Sequence, residues 1–448
     1  MTCQPVANSS KRAFILLVVI CWTTPGLLLA QRDTTTPGQD EIATGPMLGH
    51  IDSGQALIWY RPGDPGNYTL LVSKHKGGKD DELVASVPGK AEVDHDLCIT
   101  WRVAELAPDT EYQYEIRQTN VDGPLVAGGP DCQFRTSARA DIPAKVTLAF
   151  GSCASSTDFF EIWQQIDDQQ VDGLVLLGDT PYIDSSDRDF NRKRHRDFLS
   201  IPTLAAMGKQ TPIWGTWDDH DFGGNDTDGT VKDKKKIRQV FTEYRAHDQF
   251  GDGEQGIYTR FRRGPIEVFL VDARYFAQTE PSPVAADKKT CLGKKQWNWL
   301  LKGLQRSTAP FKIIASGQIW DDKTNGEKDD WHTYAHERDA LLDFIRDKKI
   351  GGVILMGGDI HASRALRYDD RVGYPLWQFI VSPMHDSTIP SLNVPHPNLV
   401  WGKPVPNVFL RIVADNRSQP ATLVATWLKM DGQPINEVRL DSKQLQSR

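Results

Sequence analysis

Short apolar runs broken by turn residues dominate the first part of the chain. Between about 41 and 139, the segments "QALIWYR", "YTLLVSK", "LCITWRV", "YQYEIRQ" and "CQFRTSA" alternate apolar and polar positions and are rich in β-branched and aromatic residues. A period of two predicts strands with one buried face, and hence a small two-sheet sandwich. After "SARADIPA" the texture changes. "KVTLAFGSC", "DGLVLLGD", "TPIWGTWDDHD", "IEVFLVDAR", "FKIIASGQ" and "GGVILMGGDIH" are compact apolar runs of the kind that fill buried strands. "FFEIWQQIDDQ" and "WHTYAHERDALLDFIRDKK" carry helical spacing instead. Strands interleaved with helices predict an α/β layered domain. From about 374, β-like runs return in "PLWQFIVS", "NVFLRIVA" and "ATLVATWL", without an internal repeat.

The first thirty residues follow neither pattern. Lys11 and Arg12 precede the apolar run "AFILLVVICW", and Ala30 offers a cleavage point after "TTPGLLLA". Thr23, Thr24, Pro25 and Gly26 interrupt the run, so it predicts a signal peptide (1–30) and export rather than a lasting membrane span. "SKRAF" resembles the twin-arginine export pattern with Lys11 in the first arginine's place, and leaves the route open. Residues 31–40 read as a polar linker.

The 448 residues, 39% hydrophobic and 25% charged, describe a globular protein with room for two or three domains. A net charge of −7 argues against a nucleic-acid binder, which needs a basic face. Beyond the signal segment, four cysteines remain. Cys98 and Cys132 could bridge two strands of the sandwich in an oxidising compartment, though three pairings are open; Cys291 could be a bridge partner or a free thiol.

The positions of the polar residues carry the chemistry. Five strand-like runs end at potential metal ligands or a charged pair: Cys153, Asp179, the Asp218–Asp221 cluster, Asp272 with Arg274, and Asp359 with His361. Loops beyond the carboxyl ends of strands are where α/β sheets build their sites. An Asp in a turn is ordinarily only a cap; five such ends in one domain point to a shared site. "TWDDHDFGGND" puts four aspartates around one histidine, which is tolerable only in water or around a cation. Thiolate, phenolate and imidazole suit a transition metal, and carboxylates suit calcium or magnesium. The mixture suggests two unlike metals. The bland readings apply to His332 and His336, taken as a solvated helix face, and to His195 in "NRKRHRDF", taken as exposed.

At these residues the chain resembles a known family. "FGSC", "GDTPYID", "WDDHDFGGND", "VDAR", "SGQIW", "DDWHTYAHERDALLDFI" and "GGDIHAS", in that order, are similar to the alkaline phosphatase D (PhoD-like) metallophosphatases over about residues 145 to 415. The preceding sandwich is similar to that family's N-terminal domain, and "LAPDTEYQYEI" resembles a fibronectin type III-like tyrosine corner, with Tyr112 hydrogen-bonding back across the turn. The resemblance implies an α+β, α-β-β-α layered, calcineurin-like sandwich (145–443) behind a fibronectin type III-like β-sandwich (41–139). It implies iron(III) and calcium, with other divalent ions open, and hydrolysis of phosphate mono- or diesters by a metal-bound hydroxide. Cys153 and Tyr182 would bind iron, Asp179 would bridge the metals, and Asn225, Asp359 and His361 would complete the shells. Asp219 and His220 would orient substrate and protonate the leaving alkoxide, and Arg274 would pair with phosphate oxygens. Which of Asp218 and Asp219 faces the metals stays open. Family members often read "GDxIYE" where this chain reads "GDTPYID". Two rival functions remain at this stage: a non-catalytic exported binding protein, and a metal-dependent hydrolase of another ester. Oligomeric state is not legible.

Overall fold

In a computed structural model, residues 42–74, 81–155 and 160–447 are described; the expected signal segment and linker lie outside them. Two large mixed sheets carry the second half of the chain. One runs Ile213–Thr216, Gly173–Leu177, Lys145–Gly151, Val408–Asp415, Thr422–Lys429, Pro434–Asp441. Its first three strands are parallel and the rest antiparallel. The other runs Thr259–Arg263, Ile266–Leu270, Phe311–Ala315, Val353–Gly357, Leu376–Ile380, Ser363–Tyr368, Leu399–Lys403, with Ile266–Leu270 through Leu376–Ile380 parallel.

Parallel strands are covered on both faces, which is why "GLVLL" and "VILMG" are apolar and buried throughout. Alternation assigns each face. Val146, Leu148 and Phe150 join one apolar cluster with Ile313, Ile354 and Leu410, drawn from both sheets. Ala149, between them, joins a second cluster with Ile162, Trp163 and Leu204, from the helices Phe160–Asp168 and Pro202–Gly208. The helices Gly293–Arg306 and Ala335–Asp347 lay Trp297, Leu300, Leu341 and Ile345 on the first cluster. His332 lies ahead of the second of these helices and is exposed.

The N-terminal strands form a three-stranded sheet (Thr44–Ile51, Ala56–Arg61, Ile99–Val103) and a larger antiparallel one around Gly66–Lys74 and Glu111–Gln118. Tyr112 Oη accepts from Ala107 N at 2.8 Å, the back-bond expected of a tyrosine corner. The strand Glu82–Ala91 has no clean alternation in sequence and contains Pro88. It sits at a sheet edge, where a missing N–H is tolerated.

Two expectations need correction. Cys98 and Cys132 are not bonded; all four described cysteines are free thiols. The reason is placement, because Cys98 packs on the cluster of Trp163 and Tyr244 while Cys132 belongs to the sandwich core. His195 is not exposed. The helix Arg188–Leu199 turns His195, Phe198 and Leu199 inward, and His195 stacks on Tyr244 with ring centroids 5.2 Å apart.

Candidate metallophosphatase site

The strand ends converge as their sequence positions imply. Cys153 follows Lys145–Gly151, Asp179 and Tyr182 follow Gly173–Leu177, the Asp218–Asp221 cluster follows Ile213–Thr216, and Asp359 and His361 follow Val353–Gly357. Cys153 Sγ lies 3.4 Å from Asp179 Oδ2, 3.2 Å from Ser382 Oγ and 3.6 Å from the Asp359 carbonyl. Tyr182 Oη lies 2.8 Å from His361 Nε2 and 3.2 Å from His385 Nε2. Four of these residues hold left-handed backbone: Cys153 (φ 57°), Asp179 (52°), Asp359 (69°) and His361 (48°). Such a conformation costs roughly 1–3 kcal/mol per non-glycine residue and concentrates at functional sites. Gly178 (φ +95°) is required as glycine, since a Cβ there would stand 2.5 Å from Asp218 Cβ.

The four aspartates of "DDHDFGGND" separate into roles. Asp221 is internal scaffolding. It accepts from Thr180 N at 3.1 Å, from Asp218 N at 2.9 Å and from Asp179 N, so it ties the two ligand loops together. Asp218 is held by Arg274, whose Nε and Nη2 stand 2.7 and 2.5 Å from Asp218 Oδ1. Asp219 is the shared member of two cation-sized groupings. Its ligand oxygen lies within 4.8 Å of the Asp179 carboxylate and His220 ring-nitrogen ligand atoms, and likewise of the carboxylate oxygens of Asp226 and Asp329. His220 Nδ1 lies 2.5 Å from Asp184 Oδ1, and its ring packs 4.7 Å from that of Tyr182.

Burial sets the electrostatics. It pushes the Asp179 carboxyl well above its ordinary value, and Asp219, Asp218 and Asp221 push it further. Burial raises Asp218 despite Arg274, raises the Cys153 thiol with the help of Asp179, and raises Tyr182. Burial, with His385 and His220 beside it, lowers His361 to about 4. Asp179 Oδ1, Asp218 Oδ2 and His361 Nδ1 are buried without a hydrogen-bond partner among the described residues. Native proteins leave few such atoms orphaned, and carboxylates crowded without a counterion hold protons. The donor set therefore fits cations: S, N and phenol oxygen on the Cys153–Tyr182–His361 side, oxygen alone around Asp219, Asp226 and Asp329.

The model of the PhoD-like phosphatases matches residues 148–400. The chain belongs to that family, whose members are phosphoric ester hydrolases. Alkaline phosphatase D of Bacillus subtilis (strain 168) is 25% identical over 277 residues, which is 50% of this chain and 47% of that protein. The chain thus matches about half the length of this curated relative. A solved structure of PhoD superposes over 90% of this chain and 94% of that one, with a TM-score of 0.70 at 17% identity, which is a likeness of fold.

Within the PhoD-like arrangement, Asn225 and Arg274 are set differently from the other expected residues. Asn225 is exposed on the loop after the short helix Asp219–Phe222, while its neighbour Asp226 joins the acid grouping. Arg274 is buried, with Nη1 donating to Thr227 O at 3.2 Å and Nη2 reaching Asp329 Oδ2 at 3.4 Å. Its Nε, Nη1 and Nη2 are each engaged by neighbours, so it neutralises aspartates here. Asp272 is also scaffolding, accepting from Trp217 Nε1 at 2.7 Å and from Ile257, Arg274 and Tyr275 N. Sequence reasoning missed His385, Asp184, Asp329 and Lys323. His385 and Lys323 lie in loops without a recognisable spacing, and Asp329 was legible only inside "DDWHTYAHER".

Proposed function

We propose that this chain is an exported, metal-dependent phosphoesterase acting on phosphate mono- or diesters. The observation that carries it is the convergence of Cys153, Asp179, Tyr182, Asp219, His220, Asp359 and His361 on one buried acid cluster with orphaned ligand atoms. Cys153, Tyr182 and His361, joined by His385, would hold a transition ion such as iron(III), and Asp179 would be shared with an oxygen-bound ion such as calcium. Ions held there would supply Lewis acidity toward the phosphoryl oxygens and activate water at neutral pH.

The chain's own groups do the rest. Asp184 holds His220 Nδ1, so Nε2 is the nitrogen left to face substrate. As water attacks phosphorus and the ester P–O bond breaks, His220 Nε2 gives its proton to the leaving alkoxide, and the proton shed by the attacking water restores it. Asp221 and Gly178 fix the loops that carry these groups. What supports the layered reading, a helix–sheet–sheet–helix sandwich (145–443) behind a fibronectin type III-like module (41–139), is the pair of opposed apolar clusters and the Tyr112 back-bond. Export is supported by the N-terminal segment's sequence; no helix among the described residues is long and apolar enough to cross a membrane.

The test is hydrolysis of a nitrophenyl phosphodiester against the matching monoester by the mature chain with calcium, before and after chelation. Chelator-sensitive turnover is expected, and the diester-to-monoester ratio then assigns the substrate class. Absence of turnover of either ester in the metal-loaded protein would shift the weight to a non-catalytic binding role, and turnover of a sulfate or carboxylate ester instead to another hydrolase.

A further inference from the structure

Lys323 has no part in the hydrolytic scheme, yet it reaches the middle of the acid cluster. Its Nζ lies 2.7 Å from Asp329 Oδ1 and 2.7 Å from Asp359 Oδ2, with Glu327 Oε2 at 3.2 Å, and its side chain is 3% exposed. The main chain around it is pinned. Lys323 N donates to Asp330 Oδ2 at 3.0 Å, and Thr333 N donates to Asp330 Oδ1 at 2.9 Å. One of its carboxylates, Asp359, belongs to the ligand set of the strand ends. The other, Asp329, shares a cation-sized gap with Asp219 and Asp226.

An ammonium bridging two carboxylates performs the electrostatic task of a small divalent ion, without being able to diffuse away. Lysine suits this, as a compact point charge on a long stem. We propose that Lys323 is a tethered cation that takes the place of one mobile divalent ion on the Asp329–Asp359 side of the cluster, and so limits how many calcium-like ions the chain loads. This rests on the cation-binding reading of the cluster. Without the lysine, Asp359 would lose its 2.7 Å ammonium partner and Asp329 would keep only the 3.4 Å contact with Arg274 Nη2, an arrangement that favours a replacement cation. Oxygen-only ligands select a hard divalent one.

The test is a calorimetric titration of calcium into the chelator-stripped full chain, comparing wild type with Lys323→Met and Lys323→Arg. Lys323→Met is expected to take up one further equivalent of calcium, or to bind it at least tenfold more tightly, while Lys323→Arg matches wild type. Equal stoichiometry and affinity in wild type and Lys323→Met, or weaker binding in the variant, would overturn the proposal. Adding Asp329→Asn to Lys323→Met should return binding to the wild-type pattern; persistence of the extra equivalent would locate it elsewhere and also count against the proposal. Should Lys323→Met be unfolded when stripped, calcium must refold it and raise its Tm more than that of wild type, and failure to do so overturns the idea. Nitrophenyl diester turnover by wild type, measured alongside, tests the hydrolytic reading separately, because calcium stoichiometry does not depend on turnover.

Discussion

Arg194 grips the main-chain carbonyl of Tyr182 with two donors, Nε at 2.9 Å and Nη2 at 2.7 Å. The tyrosine's phenol meets His361 and His385 in the proposed ligand set, and its carbonyl is the handle by which the helix Arg188–Leu199 holds it. Two neighbours on that helix fix it in turn: Arg192 pairs with Glu243, and Arg196 reaches Asp96 at 2.6 Å. Arg194→Met is expected to lower kcat/KM about tenfold, a loss of roughly 1.4 kcal/mol in the transition state, with Arg194→Lys intermediate. If steady-state kinetics show Arg194→Met at wild-type rates, the grip has no bearing on the site.

Tyr182→Phe removes only the oxygen that meets His361 and His385. Activity should fall by at least a hundredfold, with reduced iron by elemental analysis and little change in Tm, since the ring contacts with His220 and His385 persist. An unchanged iron content would remove Tyr182 from the ligand set.

Asp221→Ala strands three main-chain donors that are now satisfied within the core. A stability loss of about 3 kcal/mol or more is expected by urea unfolding, because each buried donor left unpaired costs about 1–3 kcal/mol. Asp221→Asn should lose less, as one acceptor oxygen remains. A loss below about 1 kcal/mol for the alanine variant would show that the loops hold without it.

Acid should weaken the fold through His247. Burial, with Arg245 and His50 adding to it, lowers His247 from 6.5 to about 3, and its Nε2 accepts from Gly215 N at 3.1 Å. Between those values the folded imidazole stays neutral while the unfolded chain takes up a proton. Its contribution is therefore complete above about pH 6.5 and is lost as pH falls, by about 1.4 kcal/mol per pH unit across that window. His247→Gln should flatten the slope of unfolding free energy between pH 6.5 and 4. An unaltered slope would assign the acid sensitivity to other groups.

Much of the catalytic half was legible because parallel strands buried on both faces read as continuous apolar runs, and their ends are marked by acids. "DGLVLLGD" and "GGVILMGGDIH" carry both the strand and the polar side chains at its end. Less legible were elements whose pattern depends on partners. Thr44–Ile51 and Glu82–Ala91 lack a clean alternation of their own. His195 looked solvated amid arginines until the helix was seen to face Tyr244. Arg274 and Asn225 show a further limit: spacing places a residue near a site, but only packing tells whether its donors are spent on neighbours or open to a ligand. Lys323 carries no motif at all, since a tethered side chain can reach the cluster from a loop of any sequence.

The shared apolar cluster beneath the first sheet has a practical consequence. Met47, Leu57 and Trp59 of the N-terminal strands are packed among Trp163, Leu204 and Ile213, and Trp59 Nε1 donates to Glu243 O at 2.7 Å. The leading module is therefore not a detachable bead. A shortened expression fragment beginning near residue 140 would bare an oily socket on the catalytic half, and a chimera exchanging this module between relatives would have to exchange its socket as well.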